Sequence, residues 1–309
     1  MTVYPAGLVE AAAARAAVKL KKSDNSIVMP TFYVSERTVN ADGTATFKCY
    51  GGAARLETKI NDDSITYNDK KMAAVNDVLL AVKQQCGFEG GISVYGAALT
   101  PYLNKDDVHE KSGREILEML SEAWGGYWQL NADDDLIFVL PEGSAGVAVS
   151  AADRSDITRY GNGSVCYNGL TVTGDKDKVY AKGGGAPMLE VNSELASEAV
   201  ADSLWGRLNE HRFIMWAVDM CLVSQYISCG MAFAFDDTDE VNKYVCSSVS
   251  LYPTAAGLFA SVGRSAVSED EWAYKSYTER NLSKKQNKGG KVTVFVNYND
   301  ADPAPSPIT

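Results

Sequence analysis

Groups able to do chemistry are sparse in this chain of 309 residues. It has two histidines, His109 and His211. A Ser-His-Asp or Cys-His relay needs an imidazole beside an activated nucleophile, and neither histidine adjoins a nucleophile motif. Gly91-Ile92-Ser93-Val94-Tyr95 starts like the G-x-S-x-G elbow of serine hydrolases but fails at its last position. Cysteines at 49, 86, 166, 221, 229 and 246 form no C-x-x-C pair. Zinc needs three or four converging ligands, whereas Cys221 and Cys229 stand alone, so all six read as buried free thiols. Asp133-Asp134-Asp135 lacks the alternating acids and closing glutamate of an EF-hand loop. It reads as a solvated turn, as does the group Asp236, Asp237, Asp239 and Glu240.

Phosphate and sugar sites fare no better. Gly161-Asn162-Gly163-Ser164-Val165-Cys166 has cysteine where the dinucleotide fingerprint needs its last glycine, and Gly289-Gly290-Lys291-Val292 opens a strand rather than a helix. Glycoside hydrolysis requires two carboxylates across a cleft, and none of the 40 acidic residues is singled out as such a pair. Trp124, Tyr127 and Trp128 could line a sugar groove, but aromatics at a helix end and on the next strand more often pack in a core. No catalytic residue, cofactor-binding residue or metal ligand is assigned, and the expectation is a protein that is not an enzyme.

The elements themselves are more legible. From Ser112 to Pro141 the pattern predicts one helix, a double-glycine stop and a β-hairpin. Ser112 and Glu115 have capping-box spacing. Ile116, Leu117, Leu120, Ala123 and Trp124 share one helical face, with Arg114, Glu118 and Glu122 away from it. Gly125 ends the helix by tolerating the left-handed conformation. Tyr127 to Leu130 and Leu136 to Leu140 are strands joined by the polar turn Asn131 to Asp135, and the second strand, apolar on both faces, should be buried on both sides.

Elsewhere, Met1 to Lys22 reads as a surface helix rather than a signal peptide, because Glu10 and Arg15 interrupt its apolar part. Val28 to Ser35 and Thr44 to Tyr50 flank the turn Asn40 to Gly43. Asn68 or Asp69 caps a helix carrying Met72, Val75, Leu79, Val82 and Cys86, closed by Gly87, and Ile92 to Ala97 is a strand. Short strands follow at Ser164 to Tyr167, Leu170 to Thr173 and Val179 to Ala181. Asn192 or Ser193 starts a helix with Leu195, Ala199, Leu204 and Leu208 inward. The long strand Phe213 to Val223 turns Ile214, Trp216, Val218, Met220 and Leu222 to one side. Ala232 to Phe235 and Tyr244 to Ser250 flank an acidic turn, and Lys291 to Tyr298, before a Pro-rich end, is a strand that is disordered or adds to a neighbour's sheet.

Composition is that of a globular protein, with a net charge of -11 and a pI near 4.8. That charge argues against stable nucleic-acid binding through a basic surface. The uncharged run Met220 to Phe235 is too short to span a bilayer.

The capped Ser-x-x-Glu-Ile-Leu helix, Gly-Gly-Tyr-Trp, and acidic turn before Leu-Ile-Phe-Val resemble the tail hub, or baseplate hub, proteins of bacteriophages, prophages and tailocins. The resemblance extends more weakly over residues 30 to 280, with one departure: Cys229-Gly230-Met231-Ala232 stands where family members often have a proline and a Gly-Asp step. It implies an α+β fold in which two small β-barrel-like domains carry an inserted helix-containing α/β domain. On that plan residues 1–65 are the first β domain with the N-terminal helix, 66–145 the insertion, 146–282 the second β domain with one helix, and 283–309 a tail strand and Pro-rich end. It further implies a homotrimer on the virion tail, assembled in the bacterial host cytoplasm. Tail tube or distal tail ring proteins would lie on one side and a central spike or fibre protein on the other, with neither cofactor nor membrane insertion. A tail-borne carbohydrate-binding adhesin and a cell-wall hydrolase are the alternatives.

Overall fold

The structure, a computed structural model, describes residues 17–21, 28–39, 45–94, 102–131, 133–140, 144–174, 178–209, 212–236, 244–254, 257–264 and 292–293. Strands β1 (Ala17–Lys21), β2 (Val28–Val39) and β3 (Ala45–Gly51) come first, then β4 (Met72–Ala74) and helix α1 (Val75–Gln85). Next are β5 (Ile92–Val94), β6 (Tyr102–Asn104), α2 (Lys105–Val108), α3 (Gly113–Trp124), β7 (Tyr127–Leu130) and β8 (Leu136–Val139). The remainder comprises β9 (Ser144–Val149), β10 (Thr158–Val165), β11 (Gly169–Thr173), β12 (Val179–Gly183), β13 (Met188–Asn192), α4 (Glu198–Leu208) and β14 (Phe213–Val223). Last are β15 (Met231–Phe235), β16 (Tyr244–Val245), β17 (Ser248–Thr254), β18 (Gly257–Arg264) and β19 (Val292–Thr293).

The result is α+β, mostly sheet, and among the described residues no sheet closes into a barrel. One core packs α1, α3, β7 and β8 together with β11, β13 and α4, through residues such as Val78, Leu117, Trp128, Leu170 and Leu204. A second lies between the sheet β10-β14-β18-β17 and the sheet β16-β15-β9, where Trp216 and Val262 face Val147, Phe233 and Tyr244. Strand β8 is covered on both faces: Leu136 and Phe138 enter the first core, while Ile137 and Val139 pack with Ala232 and Val245 in a third, small cluster. The doubly apolar pattern of that strand is thus explained by burial on both faces.

Several expectations change. Ala17–Lys21 forms a strand on β2 rather than part of a helix, because antiparallel pairing overrides the helix propensity of alanine and lysine; residues 1–16 and the turn at 40–44 lie outside the described residues. α1 starts at Val75, not at Asn68. Met72–Ala74 pair with β6, and the Asn68 side chain instead accepts bonds from the amides of Lys70 and Met72 at 2.9 and 3.0 Å, closing a turn. Similarly, Met188–Asn192 join β11 in parallel, so α4 is capped by Ser197 and buries Val200, Ala201, Leu204 and Leu208, leaving Ala199 exposed.

β14 occupies the expected residues, but its register against β18 shifts between Val218 and Cys221. One extra residue reverses the facing of everything beyond it. Cys221 and Val223 therefore point into the core, and Met220 and Leu222 are exposed. At the far end, Val292 and Thr293 pair with β3 of the same chain, so this part of the tail strand completes its own sheet; 294–298 lie outside the described residues.

Candidate functional site

The segment with the most specific sequence pattern is also the one most tightly keyed into the fold. Ser112 Oγ accepts from the Glu115 amide at 3.2 Å, and the Glu115 carboxylate accepts from the Ser112 amide at 2.9 Å. A Cβ on Gly113 would sit 2.8 Å from the Cys86 sulfur, so α3 approaches α1 as closely as a glycine allows. Gly125 ends the helix at φ +70°. Beyond it, Trp124 meets Phe138 edge-on at 5.2 Å between ring centroids, and Trp128 meets the same ring at 5.1 Å. Both indoles are only 1% exposed, so neither lines a groove; the side chain of Tyr127 lies outside the description.

Arg114 corrects the helical-face reading. Although its position is on the polar side of the wheel, it is fully buried. Its Nε donates to Glu57 at 2.6 Å and its Nη2 to the Ala53 carbonyl at 3.2 Å, which is how a buried charge is held without a large desolvation penalty. The acidic turn is likewise more than a solvated loop. Asn131 Oδ1 accepts from the amides of Asp133 and Asp135, both at 2.9 Å. Asp134, at φ +66°, receives Arg55 Nη2 on both carboxylate oxygens at 2.7 and 2.6 Å. Arg55 also donates to the Gly87 carbonyl at 2.6 Å and stacks 4.3 Å over Phe88. Asp135 accepts from the Gly91 amide at 2.5 Å. Two of the three carboxylates thus bolt the hairpin to the start of the α/β unit; only Asp133 is exposed.

Between α3 and the β13–α4 connection lies a polar seam. Lys111 pairs with Glu194, and Arg207 donates to the Trp124 carbonyl. Burial, then the charges of Glu194 and Glu118, push the Glu122 carboxyl up to about 7, with Lys111 opposing. Sequence reasoning passed over Arg55, Arg114 and Glu122 as functional groups, since their partners lie far away in the chain.

The remaining candidates stay apart. His109 Nδ1 lies 3.3 Å from Asp62 Oδ2 with its side chain 58% exposed. Burial raises the Asp62 pKa, but His109 and Lys105 outweigh it and hold the carboxyl below its ordinary range. His211, Asp237, Asp239, Glu240 and Gly289 to Lys291 lie outside the described residues. Asp236 accepts from the Ala151 amide at 2.8 Å and from Ser150 Oγ at 3.0 Å. All six cysteines are free, and burial pushes the thiols of Cys86 and Cys221 up to about 11, away from the reactive thiolate. Ser93 sits within β5, and Gly161 to Val165 belong to β10. Among the described residues, no three His, Cys, Asp or Glu side chains converge to hold a metal, and no helix is long and apolar enough to cross a membrane.

No protein-family model and no curated protein matches this chain. Solved structures do match in fold. The 43 kDa tail protein of prophage MuSo2 from Shewanella oneidensis superposes with a TM-score of 0.54 at 11% identity, covering 85% of each chain. A tail protein from Neisseria meningitidis superposes at 0.50 with 12% identity, covering 81% of this chain and 83% of its own. The chain therefore has the fold of prophage tail proteins.

Proposed function

We propose that this protein is a structural, non-enzymatic subunit of a phage-type tail. Within that class, we infer that it is the hub of a tail tip or baseplate, joining the tail tube to the terminal spike or fibre. Three copies form a ring, and their two β portions act as barrel-like platforms around the keyed α/β unit. The hub is assembled in the bacterial host cytoplasm and ends on the virion tail, needing neither cofactor, stable nucleic-acid binding nor membrane insertion. The observation that carries this reading is the tail-protein fold over 85% of both chains, and it agrees with the resemblance of the capped helix and hairpin to hub proteins. The polar groups of that segment support it too, since Arg114 is engaged with Glu57, Asp134 with Arg55 and Asp135 with the Gly91 amide, an arrangement suited to rigidity.

Cryo-microscopy of assembled particles tests the reading. Three copies on the tail axis between tube and spike are expected; a single copy, or a position off the axis, refutes it. Purified protein should clear no cell-wall substrate in zymography, and a cleared band would favour a hydrolase instead.

A further inference from the structure

The two faces of the sheet β10-β14-β18-β17 differ in what covers them. Cys221, Val223, Leu258 and Ala260 point into the second core. Their neighbours point the other way, and the register lines them up: Leu222 stands opposite Phe259, and Phe259 opposite Tyr252. Residues directly opposite on antiparallel strands share a face, so these three make a row across β14, β18 and β17. Met220, two residues before Leu222, extends it. Met220, Leu222 and Tyr252 are 54%, 38% and 51% exposed, and Phe259 is half-buried. The next pair along, Ser250 and Ser261, adds hydroxyls and no charge.

β17 is also an edge. Among the described residues it pairs with β18 alone, and its sequence Ser-Val-Ser-Leu-Tyr-Pro-Thr contains no charged residue. Edge strands that stay single are blunted by lysines, bulges or proline; here Pro253, next to last, is the one such feature. At the exposures above, the row presents roughly 300 Å² of apolar surface, the size at which a patch marks an interaction site. The seven-residue edge beside it brings the face toward the ~800 Å² per partner of a stable interface. The charge of the chain points to what fits there. Two copies at -11 each repel one another, so contact between them costs least on a face that carries no charge.

We propose that this apolar row and the β17 edge form the face by which one copy of the chain binds a second copy. The inference rests on the homotrimer reading above and specifies its contact, in which the row meets a different surface of the next copy, as a closed three-fold ring requires.

Sedimentation velocity of the full-length chain tests it. The assembled fraction should fall at least tenfold in Leu222→Glu and in Tyr252→Glu, and stay at the parent level in Val179→Glu, whose side chain is as exposed but lies on another sheet. It should rise in the parent between about 50 mM and about 500 mM salt, as the screening length falls from ~14 to ~4 Å and the repulsion between copies with it. A photoreactive p-benzoyl-phenylalanine in place of Tyr252 should yield a covalent dimer on irradiation. Where Leu222→Glu does not fold by circular dichroism, Tyr252→Glu and the crosslink decide. A trimer indifferent to both glutamates overturns the inference and leaves the ring reading intact, and so does a trimer that high salt dissociates, which is held by ion pairs. Variants that assemble normally but no longer enter particles assign the row to a different tail protein and overturn it likewise. A monomer under every condition overturns both readings.

Discussion

Replacing Glu122 with glutamine should stabilise the protein at pH 8 and change little at pH 5. The seam between α3 and the β13–α4 connection holds Glu118, Glu122 and Glu194 against Lys111, and the Glu122 carboxyl is displaced from 4.5 to about 7. A raised carboxyl binds its proton more tightly in the folded state than in the unfolded one, so ionisation opposes folding. Below about pH 4.5 both states are protonated and the group is neutral in effect. The penalty grows as pH rises from about 4.5 to 7 and is constant above that. At about 1.4 kcal/mol per tenfold change in proton affinity, the full displacement amounts to roughly 3 kcal/mol. Glu122 keeps some solvent access, which reduces the expected value to about 1–2 kcal/mol. Urea unfolding followed by tryptophan fluorescence at pH 5, 6, 7 and 8 measures it directly, since Trp124 and Trp128 share the core that α3 enters. The advantage of Glu122→Gln should widen with pH. An equal advantage at every pH, or a glutamine variant weaker than the parent at pH 8, refutes the electrostatic account of the seam.

Arg114→Ala should cost about 1–3 kcal/mol in the same unfolding assay, because it removes a buried guanidinium with its bonds to the half-exposed Glu57 and to the Ala53 carbonyl; a loss under about 0.5 kcal/mol would mean that the site collapses around the smaller side chain. Asp134→Ala should cost about 1–3 kcal/mol by removing the two charge-assisted bonds from Arg55, and Asp134→Gly should cost less, because glycine accepts the φ of +66° that alanine resists; equal losses would remove the backbone part of that explanation. Gly126→Ala should displace the hairpin, since its Cβ would meet Phe138 Cζ at 2.5 Å as well as the Val139 carbonyl. A near-ultraviolet circular dichroism spectrum matching the parent's would contradict it.

The chain announces its local rules clearly and its long-range ones hardly at all. The capping box at Ser112 and the left-handed Gly125 act within a few residues, so both ends of α3 could be read directly. The starts of α1 and α4 could not, because Met72–Ala74 and Met188–Asn192 are claimed by strands from elsewhere in the chain. The inward set of β14 was misread beyond Val218 for one reason, a bulge that leaves no mark on an alternating apolar strand. Arg114 reads as a surface residue because the 3-10 helix Gly52–Glu57, which carries Ala53 and Glu57, covers the polar side of α3, and helical periodicity alone contains no such neighbour. The acidic turn misled in the same way: Asn131 signals the turn, but Arg55, the partner that makes Asp134 structural, is 79 residues distant.

A fold shared at 11% identity over most of two chains places its requirements on volume, periodicity and backbone geometry rather than on particular reactive groups. In the keyed segment, those requirements are visible atom by atom. Gly113 and Gly126 sit where a Cβ would strike neighbouring atoms, Trp124 and Trp128 close around Phe138, and Asp134 holds Arg55 across the hairpin. Each of these interactions fixes one element against another inside the chain. The interior thus accounts for the mutual placement of α1, α3, β7 and β8.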